Sequence, residues 1–246
     1  VPLPPGVRCF ALVPCAGFGA RAGRVVPKQY VPVAGRPLVV HTLEALAQVE
    51  RLSGILVALA PGDDLFGPAW EQGAGPSRHR VWTAHCGGET RAATVTAGLA
   101  VLAERGAGDD DWVLVHDAAR CLLRPEWVDH LIDACSHDPV GGLLALPLAD
   151  TLKAAAGACD AAAGRAGPRV AATVDRAGKW LAQTPQMFRL GTLRDALAAT
   201  GTGVTDESSA IEAMGLAPRL VEGAYENLKV TYPADFALAE RLMRAR

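Results

Sequence analysis

Three short stretches of the chain combine residue types whose spacing suits the handling of phosphate. The first is "PCAGFGARAGRVVPKQY", Pro14 to Tyr30, directly after the apolar run "CFALV". Gly17, Gly19 and Gly23 permit a turn whose backbone N–H groups converge on an anion, because glycine tolerates the φ required and has no Cβ to obstruct the approach. Arg21, Arg24 and Lys28 stand just behind that turn. No G-x-x-x-x-G-K-[ST] occurs, which excludes a Walker A loop, and a dinucleotide fingerprint would need its third glycine where Ala22 stands. The concentration of positive charge suits a triphosphate better than a dinucleotide. The competing reading is a strand-to-helix turn with solvated basic residues.

The second stretch, "HCGGETR", places Gly87 and Gly88 before a helical run, beside Arg91 and the hydroxyl of Thr94. Two backbone amides at a helix N-terminus make a seat for a base or an anion, or else an ordinary helix cap. The third, "WVLVHDAARC", ends an apolar run with His116 and Asp117, then Ala118, Ala119 and Arg120. A carboxylate at the end of a buried strand and facing phosphate loops is placed to hold Mg²⁺, which takes one or two carboxylates plus substrate phosphates. A lone Asp there also reads as a cap. His116 reads as a satisfied, half-buried histidine, since no His/Cys/Asp set with zinc spacing surrounds it. Asp175, Arg176 and Lys229 carry no signal by themselves.

These loops need a scaffold, and the sequence supplies one. Short apolar runs alternate with amphipathic stretches: "FALV" with "PLVVHTLEALAQV", then "GILVAL", "RVWTA" with "TRAATVTAGLAVLAE", "WVLVHD" with "PEWVDHLIDAC", and "GGLLALPL". That alternation predicts a mostly parallel sheet flanked by helices, whose ligands bind beyond the carboxyl ends of the strands, where all three loops fall. The pattern stops after Leu148. The segment up to "QTPQMF" has little helical amphipathicity, and residues 154–168 form an Ala/Gly-rich excursion that reads on composition as a mobile linker. Alternation resumes with "GTLRDALAAT", "TDESSAIEAMG" and "ENLKVTYPADFALAERLM"; Thr205 or Asp206 is the expected N-cap of one helix, and Pro233 falls in the first turn of the last.

With 246 residues, 50% of them hydrophobic, the chain is long enough for one large α/β domain or two small ones. A net charge of -2 gives no reason to invoke nucleic acid, so any basic site is local. The six cysteines include no C-x-x-C pair, which points to a reducing cytoplasm and away from a disulfide framework. Proline and glycine interrupt the apolar N-terminal stretch, against a secretion signal, and no run of ~18 apolar residues suggests a transmembrane helix.

Together the motifs "PCAGFGARAG…PKQY", "GGETRAATVTAGL", "VHDAAR", "DTLK", "VDR…W…QTPQMF", "TDESSAIE" and "VEG…NLKVTYPAD" resemble the 2-C-methyl-D-erythritol 4-phosphate cytidylyltransferase family, from about Phe10 to Glu240. The resemblance implies a Rossmann-like, glycosyltransferase-A-like nucleotidyltransferase, one domain over 1–246 with an arm inserted at about 149–180 and exchanged across a homodimer. It implies that Arg21 and Lys28 neutralise the triphosphate of CTP, that Cys15, Ala16 and Gly17 form the nucleotide-holding turn, and that Gly88, Arg91, Thr94 and Ala118 complete the CTP site. It implies Mg²⁺ on Asp117. The acceptor pocket would consist of Arg120, Thr184, Thr205 and Lys229, with Thr151 and Arg176 reaching in from the partner. Cys15 stands where alanine is usual in the family, Glu89 where aspartate is common, Thr94 where serine is usual, and Cys121 where proline is. A cytidylyltransferase for another polyol phosphate such as ribitol 5-phosphate, a nucleotide-binding regulatory module without turnover, and an NAD-dependent oxidoreductase are the competing readings.

Overall fold

β1 (Cys9–Cys15) is apolar on both faces because both faces are covered. Cys9, Ala11, Val13 and Cys15 enter the core on one side of the sheet, and Phe10 and Leu12 enter the core on the other. The structure, a computed structural model, describes residues 1–17, 26–73, 80–156 and 168–246. Beyond β1 the chain forms a 3₁₀ turn at Lys28–Tyr30, a small hairpin of β2 (Pro32–Val33) and β3 (Arg36–Pro37), α1 (Leu38–Ala47), β4 (Gly54–Leu59), α2 (Phe66–Gly73) and β5 (Val81–Ala84). Next come α3 (Arg91–Glu104), β6 (Trp112–Val115), α4 (Pro125–Cys135) and β7 (Gly141–Pro147). A ribbon of β8 (Leu152–Ala155) and β9 (Val170–Val174) precedes β10 (Trp180–Arg189), α5 (Leu190–Thr200), α6 (Glu207–Ala213), β11 (Arg219–Glu222) and α7 (Pro233–Arg244).

Among the described residues the main sheet has seven strands in the order β11-β7-β10-β6-β1-β4-β5. All neighbours are parallel except at β10, which runs antiparallel to both β6 and β7. The expected mostly parallel α/β sheet is therefore present, but its central antiparallel strand is new: "WLAQTPQMFR" lies largely in the stretch after Leu148 where the alternating pattern stops. Pro185 is the reason, because proline argues against a central strand. The sheet accommodates it by shifting register between Ala182 and Gln186, and Met187 and Phe188 are fully buried beyond the shift.

The excursion begins where β7 ends and returns where β10 begins, with Trp180 paired to Pro147. Its described part is the antiparallel β8–β9 ribbon, most of whose residues are exposed; residues 157–167, the Ala/Gly-rich centre, lie outside the described residues. Because β7 runs with β6 and β1, the ribbon leaves from the same edge of the sheet on which the three loops open. Two end signals resolve as well. Asp206 caps α6 by accepting from Ser209 N at 3.0 Å, and Pro233 stands in the first turn of α7.

Candidate functional site

A cleft of about 710 Å³ opens beyond the carboxyl ends of β1, β4, β5 and β6. From the first loop it receives Cys15, Ala16, Gly17 and Lys28; from the second, Gly88, Arg91 and Thr94; from the third, Asp117 and Ala118; and Lys229 from the segment before α7. Ten of the candidate site residues thus share one concavity. Arg21, with Gly19, Gly23 and Arg24, lies outside the described residues.

The first loop is held by Gln29, a buried residue without a sequence signal, whose Nε2 donates to Cys15 O at 3.1 Å. Burial pushes the Cys15 thiol up to about 12, so it is no nucleophile at neutral pH. The second loop approaches the first closely enough to demand glycine. A Cβ on Gly87 would stand 2.2 Å from Ala16 Cβ and 2.8 Å from Leu59 O. Its amides, expected to be free for an anion, are engaged within the protein: Gly87 N donates to Leu59 O at 2.8 Å and Gly88 N to Thr94 Oγ1 at 3.1 Å. The helix N-terminus lies beyond them, since Thr90 is the N-cap that accepts from Ala93 N and α3 begins at Arg91. The loop contributes shape, and Arg91 contributes charge.

Asp117 is the centre of the electrostatics. Its Oδ1 accepts from Arg91 Nε at 2.8 Å, its Oδ2 meets Lys229 Nζ at 2.8 Å, and Arg120 Nε lies 3.8 Å from Oδ2. Burial acts to raise the carboxyl, and Arg91, Lys229 and Arg120 together outweigh it, holding Asp117 well below the usual carboxylate range. Lys229 reaches this position because the backbone beside it is fastened down. Val230 N donates to Ala119 O at 2.9 Å, Lys28 Nζ donates to Val230 O at 2.9 Å, and the Val230 side chain is buried with Ala119 and Cys121. The cysteine in place of the family's usual proline is thus a packing residue.

The acceptor-side residues are more dispersed. Arg120 is buried and donates to Asn227 O, beneath the cleft and not in its lining. Thr184 is buried too: its Oγ1 accepts from Asp117 N at 3.0 Å and lies 3.0 Å from His116 Nδ1. His116 is fully enclosed, not half-buried as expected, and burial pushes it down to about 3, so it stays neutral. Thr205 is exposed and borders a small side cavity of about 70 Å³ together with Thr90, Arg91, Asp206 and Glu207. Thr151 and Arg176 are exposed at the base of the ribbon, outside the lining of the cleft.

A second buried group, after Gln29, had no sequence signal as a site residue. Glu207, at the start of α6, takes Arg91 Nη1 at 2.6 Å and Nη2 at 2.9 Å. An acidic residue after an N-cap reads as a partner for the helix dipole, which is why it passes unnoticed. Taken together, the cleft offers Arg91, Lys28 and Lys229 to an anion and two carboxylates, buried Asp117 and exposed Glu89, to a cation. Among the described residues no three His, Cys, Asp or Glu side chains converge into a protein-made metal cage. That donor set fits Mg²⁺ shared with substrate phosphates, because Mg²⁺ keeps few protein ligands.

Comparison with known proteins shows the family. The profile of the 2-C-methyl-D-erythritol 4-phosphate cytidylyltransferase family matches residues 9–245. The chain is 57% identical over 239 residues to the bifunctional enzyme IspD/IspF of Albidiferax ferrireducens, covering 97% of this chain and 54% of that longer protein. It is 50% identical to the 2-C-methyl-D-erythritol 4-phosphate cytidylyltransferase of Cupriavidus pinatubonensis, covering 96% of this chain and 94% of that one. A crystal structure of 4-diphosphocytidyl-2C-methyl-D-erythritol synthase superposes with a TM-score of 0.81 at 37% identity, covering 96% of this chain and 98% of that one. On this match of fold and sequence, the chain belongs to the 2-C-methyl-D-erythritol 4-phosphate cytidylyltransferase family.

Proposed function

We infer that the cleft carries out the reaction for which the family is named: transfer of CMP from CTP to 2-C-methyl-D-erythritol 4-phosphate, giving 4-diphosphocytidyl-2-C-methyl-D-erythritol and pyrophosphate in the non-mevalonate isoprenoid route. The observation that carries the reading is the ring of Arg91, Arg120 and Lys229 around Asp117, with Lys28 on the same cleft. An acceptor phosphate oxygen attacks the α-phosphorus of CTP in line, and pyrophosphate leaves from the opposite side. The nucleophile is already an anion, so no general base is needed, in keeping with an inert Cys15 and an enclosed His116.

The difficulty is the meeting of two polyanions. Two unit like charges ~4 Å apart at an effective dielectric of ~20 repel by ~4 kcal/mol, and several charges meet here. Lys28, with Arg21, is assigned to the charge that accumulates on the five-coordinate phosphorus and its leaving group. The turn of Cys15, Ala16 and Gly17, with Gly88, Thr94 and Ala118, shapes the seat for the nucleoside. Lys229 aims the attacking phosphate. Arg120 and Thr184 hold the floor beneath it, through Asn227 O and the Asp117 amide. Asp117 would hold Mg²⁺, which when bound neutralises triphosphate charge.

The arm completes the site in this reading. Residues 1–246 act as one catalytic unit, and the arm at about 149–180 is exchanged in a homodimer, so that Thr151 and Arg176 meet the acceptor phosphate in the partner's cleft beside Thr205. Val170, Trp180 and Leu181, apolar and exposed on or next to the ribbon, support burial against a second copy. Mixing Arg176→Ala chains with Lys28→Ala chains, both inactive alone, should restore activity toward half the wild-type rate per heterodimer; heterodimers that form and stay inactive would return the pocket to one chain. The setting is a reducing cytoplasm. Five cysteines are free among the described residues, and no described helix is long and apolar enough to cross a membrane.

Pyrophosphate release tests the substrates directly. CTP with methylerythritol phosphate should support turnover, while CTP with ribitol 5-phosphate should not. The reverse preference would transfer the nucleotide half of the assignment to another polyol phosphate.

A further inference from the structure

Arg91 is shared between two carboxylates on different elements, and the way it is divided is specific. Its Nε donates to Asp117 Oδ1 at 2.8 Å, while Nη1 and Nη2 form a fork on Oε1 and Oε2 of Glu207 at 2.6 and 2.9 Å. The Glu207 side chain is 1% exposed. Its own position is set from below by Gln186 on β10, whose Nε2 donates to Asp206 Oδ2 and whose Oε1 accepts from Ser208 N, both at 2.8 Å. The residues on either side of Glu207, Asp206 through its side chain and Ser208 through its amide, are therefore tied to the sheet, and the carboxylate is aimed at one guanidinium. A guanidinium matches a carboxylate best through two parallel N–H bonds, so an Arg91 released from Glu207 would turn that fork onto Asp117. It would then engage both oxygens and compete with Lys229, whose single ammonium contact is partly open to solvent, for Oδ2.

We propose that Glu207 is a positioning residue for the transfer: by occupying the fork of Arg91 it leaves only Nε for Asp117 and so reserves Asp117 Oδ2 for Lys229. The proposal rests on the reading of this cleft as the transfer site and adds a residue to it. Glu207 touches no substrate in this arrangement; it acts through Arg91. It also ties the loop carrying Thr205 to the loop carrying Arg91, so the acceptor side and the nucleotide side move as one body.

The test is a double-substitution cycle of Glu207→Gln and Arg91→Ala, with kcat from pyrophosphate release, CTP affinity from calorimetry without acceptor, and thermal unfolding of each variant. Glu207→Gln keeps the shape and removes the charge. Its kcat should fall by roughly ten- to a hundredfold, the cost of a small misplacement of reacting groups, while CTP affinity changes by no more than about threefold. The double variant should be no slower than the slower single variant, because Glu207 has nothing to position once Arg91 is gone. Glu207→Asp should recover part of the rate. Glu207→Gln turning over within about twofold of wild type, or losses that multiply in the double variant, would overturn the proposal. Failure of both the Gln and the Asp variants to fold would assign Glu207 to stability alone and overturn it too. Absence of turnover in the wild-type protein would instead refute the reading of the cleft, so the two failures are distinguishable.

Discussion

Strand β6 carries a buried aspartate at each end, and the two are held in opposite ways. Asp111, before the strand, accepts from Arg8 N at 2.7 Å and Gly108 N at 2.9 Å, with Arg8 Nη2 at 2.6 Å as the third donor. Its own backbone carbonyl accepts from Leu190 N, so it ties the starts of β1 and β6 to the end of β10. Asp117, after the strand, receives only side-chain donors on its carboxylate: Arg91, Lys229 and, more distantly, Arg120. Burial acts to raise both carboxyls, and both are nonetheless held below the ordinary range, Asp111 by backbone amides and Arg8, Asp117 by cations. A depressed carboxyl is therefore no marker of function by itself. What separates the two is whether the donors can leave. Backbone amides at Asp111 cannot be released without breaking the turn, whereas Arg91 and Lys229 reach Asp117 from separate elements and line the cleft that an arriving phosphate would enter.

The largest effect expected on this comparison comes from the cation beside the Asp117 end. Lys28→Ala should lower kcat by ~10²–10³, or ~2.7–4 kcal/mol, because the ammonium gains most from charge that develops in the transition state. Part of that loss passes through Val230 O, which Lys28 holds in place next to Lys229. Steady-state pyrophosphate release checks it, and a near-wild-type kcat would remove Lys28 from the chemistry.

A smaller effect separates the two aspartates by pH. A carboxyl depressed in the folded state contributes stability that is fully present above its unfolded pKa, about 3.8, and lost as pH falls through the folded value. Unfolding free energy should therefore decline below about pH 4, by at most ~1.4 kcal/mol per pH unit for each such group. Asp111→Asn should flatten that slope while lowering stability at neutral pH. Denaturant titrations from about pH 2.5 to 7 measure both quantities. An unchanged acid slope would deny Asp111 its place in the turn.

Much of the scaffold was legible because its strands are buried on both faces and its helices are amphipathic, so β1, β4, β6, β7 and α3 follow from apolar runs and their spacing. The loops were legible for a different reason: Cys15 to Lys28, Gly88 to Thr94 and Asp117 each carry glycine or charge at the end of such a run. What stayed hidden depends on contacts far apart in sequence. β10 was masked by Pro185, His116 gave no hint that Thr184 would enclose it, and Glu207 looks like any acidic residue in a first helical turn until Arg91 is placed against it, 116 positions away. The engaged amides of Gly87 and Gly88 were equally hidden, since only the fold brings Leu59 O within reach.

The most direct test of the account measures Asp111→Asn and Asp117→Asn side by side, taking kcat on the folded protein at saturating CTP and acceptor together with the unfolding midpoint. Asp111→Asn should keep kcat within about twofold and lose ~1–3 kcal/mol of stability, a midpoint shift of roughly 2–4 °C per kcal/mol for a chain of this size. Asp117→Asn should fold and lose kcat by ~10²–10³. Equal losses of kcat in the two variants, or an Asp117→Asn enzyme that turns over at the wild-type rate, would contradict the division of β6 into a structural end and a chemical one.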